Sequence, residues 1–171
     1  ETLNGIRAET PKHQFTVPVD PYMKPGDPSS GLLPYIQPGD GGRPGDGDHR
    51  VQAYNYRLCF TTNAANRLPL TPPPNYDPAN YELLARYLEA RVAAGQKPQL
   101  GQFWNPIWMP NHKTDINNNG GFSTDFIGMN YAYPEADYAA RRRMDQEHEA
   151  YIRGFLHFLA TSPRVPANLR A

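Results

Sequence analysis

Apolar and polar positions follow distinct rhythms along the chain. Residues 50–61, RVQAYNYRLCFT, alternate residue by residue: Tyr54, Tyr56, Leu58 and Phe60 fall on one side, and Ala53, Asn55, Arg57, Cys59 and Thr61 on the other. β-Formers in that alternation predict a strand with its aromatic side in the core. The polar side is expected to look into a cavity, or to hold Arg57 in a structural ion pair. A different rhythm follows. Tyr81, Leu84, Leu88 and Val92 recur at helical spacing, with Leu83 and Tyr87 adjoining. Asp77 is the expected N-cap, Pro78 the first helical residue and Gly95 the stop. A longer helix is predicted over residues 134–160. Its stripe is Met144, His148, Tyr151, Ile152, Phe155, Phe158 and Leu159, and Ser162–Pro163 ends it. Residues 99–109, which hold both tryptophans, read as an extended apolar segment.

Between these elements the pattern breaks. Prolines and glycines dominate residues 1–50, so long helices and central strands are excluded there. Phe15, Val17 and Val19 alternate as a short edge strand would, and Leu32, Leu33, Tyr35 and Ile36 are placed to pin the loop to a core. Such a long irregular stretch makes most sense laid across a neighbouring domain. The fold class is α+β: a loop-rich fragment with one main strand region, two principal helices and a long irregular N-terminal segment. It reads as a single unit over 1–171, loop-rich in 1–50 and an α+β core in 51–171.

Composition sharpens this picture. The chain has 171 residues, 19 prolines, 14 glycines and 11 tyrosines, and its formal charge is zero. That length suits one domain, and the aromatics argue against disorder. A neutral chain lacks the basic footprint of a nucleic-acid binder. No apolar run is long enough to span a membrane. A single cysteine, Cys59, excludes an internal disulfide. No signal peptide is visible, and the chain opens on Glu1, as a processed or excised piece would; the compartment stays open between cytoplasm and periplasm or exterior.

The chemistry concentrates in residues 110–128, PNHKTDINNNGGFSTDFIG. The order suits no regular helix or strand. It predicts a shaped polar loop, with Gly120 and Gly121 supplying positive φ. Other motifs fail on spacing. The Asp-Gly-Asp at 46–48 invites a calcium loop, but counts from Asp40 or Asp46 reach Val51 or Arg57 where a glutamate is needed. His148–Glu149 opens like a zinc-protease helix, but Ile152 stands where the second histidine belongs; no metal is expected. His148 on an apolar stripe reads as a core residue or as a general base. The chain has no GxGxxG, P-loop, CxxC or GxSxG motif.

Several blocks in order carry a resemblance. They are QAYNYRLCFT at 52–61, YDPANYELLARYL at 76–88, the 110–128 stretch, YPEA at 133–136 and HEAYIRGFLHFLATSPRVP at 148–166, with NGIRAETPKHQF and GLLPYI before them. Together they resemble the FAD-dependent oxidoreductase family of bacteria, some members of which carry the label xanthan lyase. The resemblance implies a glutathione-reductase-type flavoprotein whose Rossmann segment bears the glycine fingerprint. This chain is similar to the middle, substrate-side portion. Its partner would then be the protein's own FAD-binding domain, and the fragment alone is not expected to hold FAD tightly.

Within that reading, residue type and clustering nominate a site. Lys113 or His112 would supply a cation near the flavin's pyrimidine end, and Asp115 would orient one of them or accept a substrate proton. Asn117, Asn118, Ser123 and Thr124 would hydrogen-bond a small polar or sugar-like substrate. Arg57 would clamp an anionic or hydroxyl-rich group, and His148 is the outlying candidate base. Two other classes stay open: a carbohydrate-binding or polysaccharide-lyase module, and a structural interdomain module. The latter would bury Lys113 and Asp115 paired with each other.

Overall fold

Asp77 starts the first helical region as its side chain predicts, accepting a hydrogen bond from the Ala79 N–H at 2.9 Å. The computed structural model describes residues 14–39 and 41–170. Residues 4–13 of the block NGIRAETPKHQF, and Asp40, lie outside the described residues. A 3-10 turn, Pro78–Tyr81, leads into helix α1, Glu82–Ala93. At its end Gly95 (φ 73°) donates to the Val92 carbonyl and Gln96 to that of Arg91. These two bonds make a Schellman cap, which requires the left-handed residue glycine supplies. The second helix, α2, spans Tyr138–Thr161. It starts slightly later than the apolar stripe suggests, because Asp137 caps it through a 2.7 Å bond from the Ala140 N–H.

The sheet is a hairpin of β1, Trp104–Met109, and β2, Lys113–Asn118, paired antiparallel from Met109–Lys113 to Trp104–Asn118. Two expectations change here. Residues 110–128 are not all loop, since the six residues Lys113–Asn118 of the polar stretch form β2. Thr114 and Ile116 point inward (7% and 2% exposed) and restore the strand alternation that the asparagines obscure. Asn111 and His112 take positive φ (65° and 60°) and form the turn; Gly120 has positive φ, whereas Gly121 does not.

The second change concerns residues 50–61, which form no regular strand. Only Leu58 and Thr61 bridge to β2, at Ile116 and Lys113. Upstream, the backbone finds irregular partners: the Tyr54 carbonyl takes the Phe126 N–H, and the Gln52 carbonyl takes Asn130 Nδ2. The aromatic side is not core. Tyr54, Tyr56 and Phe60 are 41%, 42% and 38% exposed, because α2 rings already fill the interior.

The bridges also fix the direction of the backbone groups. Ile116 exchanges both its hydrogen bonds with Leu58, and the Thr114 N–H goes to the Phe60 carbonyl. Lys113, Asp115 and Asn117 are therefore the residues that bond β1, through Met109, Ile107 and Asn105. Pro106, opposite Ile116, puts its missing donor on the open edge of β1. There it breaks no ladder and discourages pairing by a foreign strand.

The core joins Leu84, Ala85 and Leu88 of α1 to Tyr151, Ile152, Phe155, Phe158 and Leu159 of α2, with Phe103, Phe126, Val165 and Leu169. Burial of each large side chain stabilises the fold by roughly 1.5–3 kcal/mol. Val92, expected on the inner stripe, is exposed in the last turn of α1. The N-terminal segment is pinned rather than paired. Phe15 stacks on Tyr87 at 4.2 Å, and Leu33 is buried. Arg86 donates to the carbonyls of Asp20, Tyr22 and Met23. The alternation at Phe15, Val17 and Val19 reflects half-burial, and no strand forms there.

Candidate functional site

Side chains alternate across a strand, so Lys113, Asp115 and Asn117 share the face of β2 opposite the buried Thr114 and Ile116. Their β1 neighbours in register are Met109, Ile107 and Asn105. On the other flank, Arg57 grips Asp115 in a two-bond fork: Nε donates to Oδ1 at 2.9 Å and Nη2 donates to Oδ2. The paired geometry is the strong form of this contact. The hydrogen bond from Arg57 holds the Asp115 carboxyl below its ordinary value, and Asp115 raises the Arg57 value in return. Both side chains remain substantially open to solvent, at 52% and 37%.

Further along, Asn55 Nδ2 donates to Asn117 Oδ1 at 3.3 Å and to Asp125 Oδ1 at 2.8 Å. Asn118 Nδ2 donates to the other oxygen of Asp125. Asp125 is thus the hinge of the polar cluster. Sequence reasoning missed it, although its place after Ser123–Thr124 is itself a signal: the Asp125 N–H donates to Ser123 Oγ at 3.1 Å, which sets the turn.

The nominated residues therefore separate into groups. Arg57, Asp115, Asn117 and Asn118 come together. Lys113 lies beside them, exposed and without an ion pair among the described residues, and His112 is exposed in the turn. Asp115 orients Arg57, not Lys113 or His112. Ser123 and Thr124 are buried, at 3% and 1%, and the Ser123 carbonyl accepts the Tyr151 hydroxyl at 2.8 Å. Lys113 and Asp115 are neither buried nor paired with each other, so the arrangement that would favour a purely structural module is not the one seen.

His148 occupies a second location. It lines a cleft of about 220 Å³ with Tyr54, Asn55, Tyr56, Tyr133 and Asp145. Asn55 is the link, since it lines this cleft and bonds the sheet cluster. His148 is buried, and its Nδ1 lies 2.7 Å from the Met144 carbonyl. A carbonyl only accepts, so Nδ1 carries the hydrogen. In the neutral ring Nε2 then holds the lone pair, and it has no hydrogen-bond partner among the described residues. That nitrogen is itself buried, so in this conformation the acceptor is enclosed by protein.

Residues 5–168 match the family model described as FAD dependent oxidoreductase. The chain belongs to the FAD dependent oxidoreductase family. No match was found among curated proteins or among solved structures.

FAD dependent oxidoreductases must hold a pyrophosphate, and the described residues do not fit that group. Helix N-termini are the usual anion cradles. Here carboxylates stand at both helix starts: Asp77 caps the 3-10 turn ahead of α1 through the Ala79 N–H, Glu82 opens α1, and Asp137 caps α2 through the Ala140 N–H. Negative caps repel a diphosphate, and the chain has no glycine fingerprint to replace them. Among the described residues, no helix is long and apolar enough to cross a membrane, and no group of three His, Cys, Asp or Glu is placed to hold a metal ion.

Proposed function

We propose that this chain is the substrate-side portion of an FAD-dependent oxidoreductase of the glutathione-reductase type, with its flavin held by another part of the whole protein. The sheet face of Arg57, Lys113, Asp115 and Asn117, continued through Asn55 to the His148 cleft, binds a small polar substrate. The observation that carries this reading is the solvent-open Arg57–Asp115 fork on a hydrogen-bonded sheet, with an unpaired lysine on one side and an amide ladder on the other. It presents donors and acceptors in fixed positions, which suits a hydroxyl-rich or carboxylated molecule. Lys113 adds positive charge at the hairpin turn, next to the exposed His112. His148 is the proton acceptor on this reading, and Asn118 keeps Asp125 in place.

The test uses the whole flavoprotein. Glucose, gluconate and glucuronate are offered anaerobically, and bleaching of the flavin is followed. At least one is expected to bleach it. Arg57→Gln and Lys113→Met should each lower kcat/KM by roughly ten- to a hundredfold, the worth of one charged hydrogen bond, with FAD content unchanged. Bleaching by none of the three, or variants with unaltered kcat/KM, counts against the proposal.

A second reading is a carbohydrate-binding or polysaccharide-lyase module. It is favoured by Trp108, whose ring is 67% exposed near the hairpin turn and offers a stacking surface. Release of unsaturated product from a uronate polysaccharide would select it.

A further inference from the structure

A separate cavity of about 320 Å³ opens between the N-terminal segment, the loop before α1, and α2. Its volume is in the range of small-molecule sites. It shares none of the residues of the polar sheet face. Five aromatic rings contribute to its wall. Tyr35 and Tyr76 are partly exposed, while Tyr81, Phe126 and Tyr151 are buried and form the floor.

The rings are locked. Tyr35 meets Phe126 edge-on at 4.8 Å and Tyr151 at 5.8 Å. Phe126 stacks on Tyr151 at 4.2 Å, and Tyr76 stacks on Tyr81 at 6.1 Å. Tyr81 donates its hydroxyl to the Tyr151 carbonyl, and Tyr151 donates its own to that of Ser123, both at 2.8 Å. Their hydroxyls are therefore committed to the protein, and what they offer a ligand is ring surface. Tyr35 is held at φ 67°, a conformation a bulky residue rarely adopts.

The charge in the cavity has one sign. Asp77 and Glu147 line it, and the described lining residues include no Lys, Arg or His. Glu147 makes no ion pair among the described residues. Basic groups stand near it without lining it: His157 meets the Tyr76 ring at 4.8 Å, and Arg153 donates to the Thr71 and Pro72 carbonyls beside Pro73. Burial, followed by the charges of Glu147 and Asp77, raises the Tyr35 value above the ordinary phenol range. The same field that disfavours a phenolate favours a cation.

We propose that this cavity binds a small organic cation of the alkylammonium class, held by ring faces and balanced by Asp77 and Glu147. Ring quadrupoles attract a desolvated cation, and quaternary ammonium groups are the usual guests of such aromatic boxes. A phosphate or carboxylate ligand would meet like charge. A neutral apolar ligand would gain nothing from either acid, both of which are exposed.

Choline and its neutral isostere 3,3-dimethylbutan-1-ol separate charge from shape. Binding of each to the full chain is measured by titration calorimetry and by perturbation of tyrosine resonances. Choline is expected to bind saturably and roughly 3- to 30-fold more tightly than the isostere, the range of one cation–π contact. Glu147→Gln and Asp77→Asn should each bring choline toward the isostere's affinity. Asparagine still caps a helix, so Asp77→Asn removes charge without removing the cap. Circular dichroism identifies any variant that has lost its fold, and the Glu147 change on the exposed side of α2 guards against that outcome. Equal affinity for choline and isostere, no saturable choline binding, or choline affinity unchanged in both variants would overturn the proposal.

Discussion

Gly154 shows how much one position controls. It lies in the middle of α2, where alanine would gain about 1 kcal/mol of intrinsic helix preference. A Cβ at that point, however, would overlap the Tyr81 hydroxyl, which is fixed by its bond to the Tyr151 carbonyl. Overpacking of this kind costs roughly 1–3 kcal/mol, so Gly154→Ala should destabilise the protein on balance. A lowered urea midpoint with an unchanged slope is the expected result. A raised midpoint would mean that Tyr81 can move aside. His148 teaches a different lesson at the same scale. Its place on the apolar stripe of α2 was legible in the sequence, because the helical period alone sets it. The role of its two nitrogens was not, since that depends on the Met144 carbonyl one turn earlier. Nitrogen NMR of the neutral ring should show Nε2 as the bare, unprotonated atom; the opposite tautomer would remove His148 as an acceptor.

Elements were legible where local chemistry decides them. Asp77, Pro78 and Gly95 act on their own neighbours, so α1 could be read from capping rules. The hairpin was harder. Asn117 and Asn118 are poor strand formers, and only the ladder with β1 and the Leu58 bridge overrides that preference. Residues 50–61 failed in the opposite sense: good alternation, but too little sheet to pair with. The polar face was half legible. Arg57 and Asp115 were chosen from separate stretches, yet nothing in the sequence joined them, because a cross-strand pair depends on register. The tail after α2 offers a test at this scale. Arg164 Nε and Nη2 bond Glu89 at 2.7 and 2.9 Å, and Nη1 bonds Glu82, which ties the tail to α1. Beneath this clamp Val165 and Leu169 are buried, at 1% and 3%. Burial alone would raise the Glu82 carboxyl, but hydrogen bonds from Arg164 and Arg86 outweigh it and hold it below the ordinary glutamate value. A depressed carboxyl stabilises the fold above the unfolded value, and the contribution is lost as pH falls through the folded one. Arg164→Ala should therefore lower the melting temperature at neutral pH, and the difference from the parent should shrink in acid. A difference constant across pH would show that the ion pairs carry none of it. Leu169→Ala removes packing instead and should cost roughly 2–4 kcal/mol at either pH.

At the scale of the molecule, the family and the geometry pull in different directions, and that tension yields the last prediction. Membership of the FAD dependent oxidoreductase family implies a flavin in the working protein. A dinucleotide needs somewhere to put two phosphates, ordinarily a glycine turn opening onto a bare helix N-terminus. This chain places Asp77 ahead of α1 and Asp137 at the head of α2, each already bonded to the backbone it caps. The Arg57 guanidinium is committed to Asp115, and Arg164 and Arg86 to Glu82 and Glu89 or to backbone carbonyls. Those three guanidinium groups are thus spent on internal partners. The 171-residue chain, mixed with excess FAD and passed through a sizing column, should elute without visible flavin absorbance while keeping a cooperative melt. The whole protein should retain flavin under the same conditions. Stoichiometric flavin on the chain alone would show that the pyrophosphate is held without a helix terminus, and the division of labour proposed for this fold would have to be abandoned.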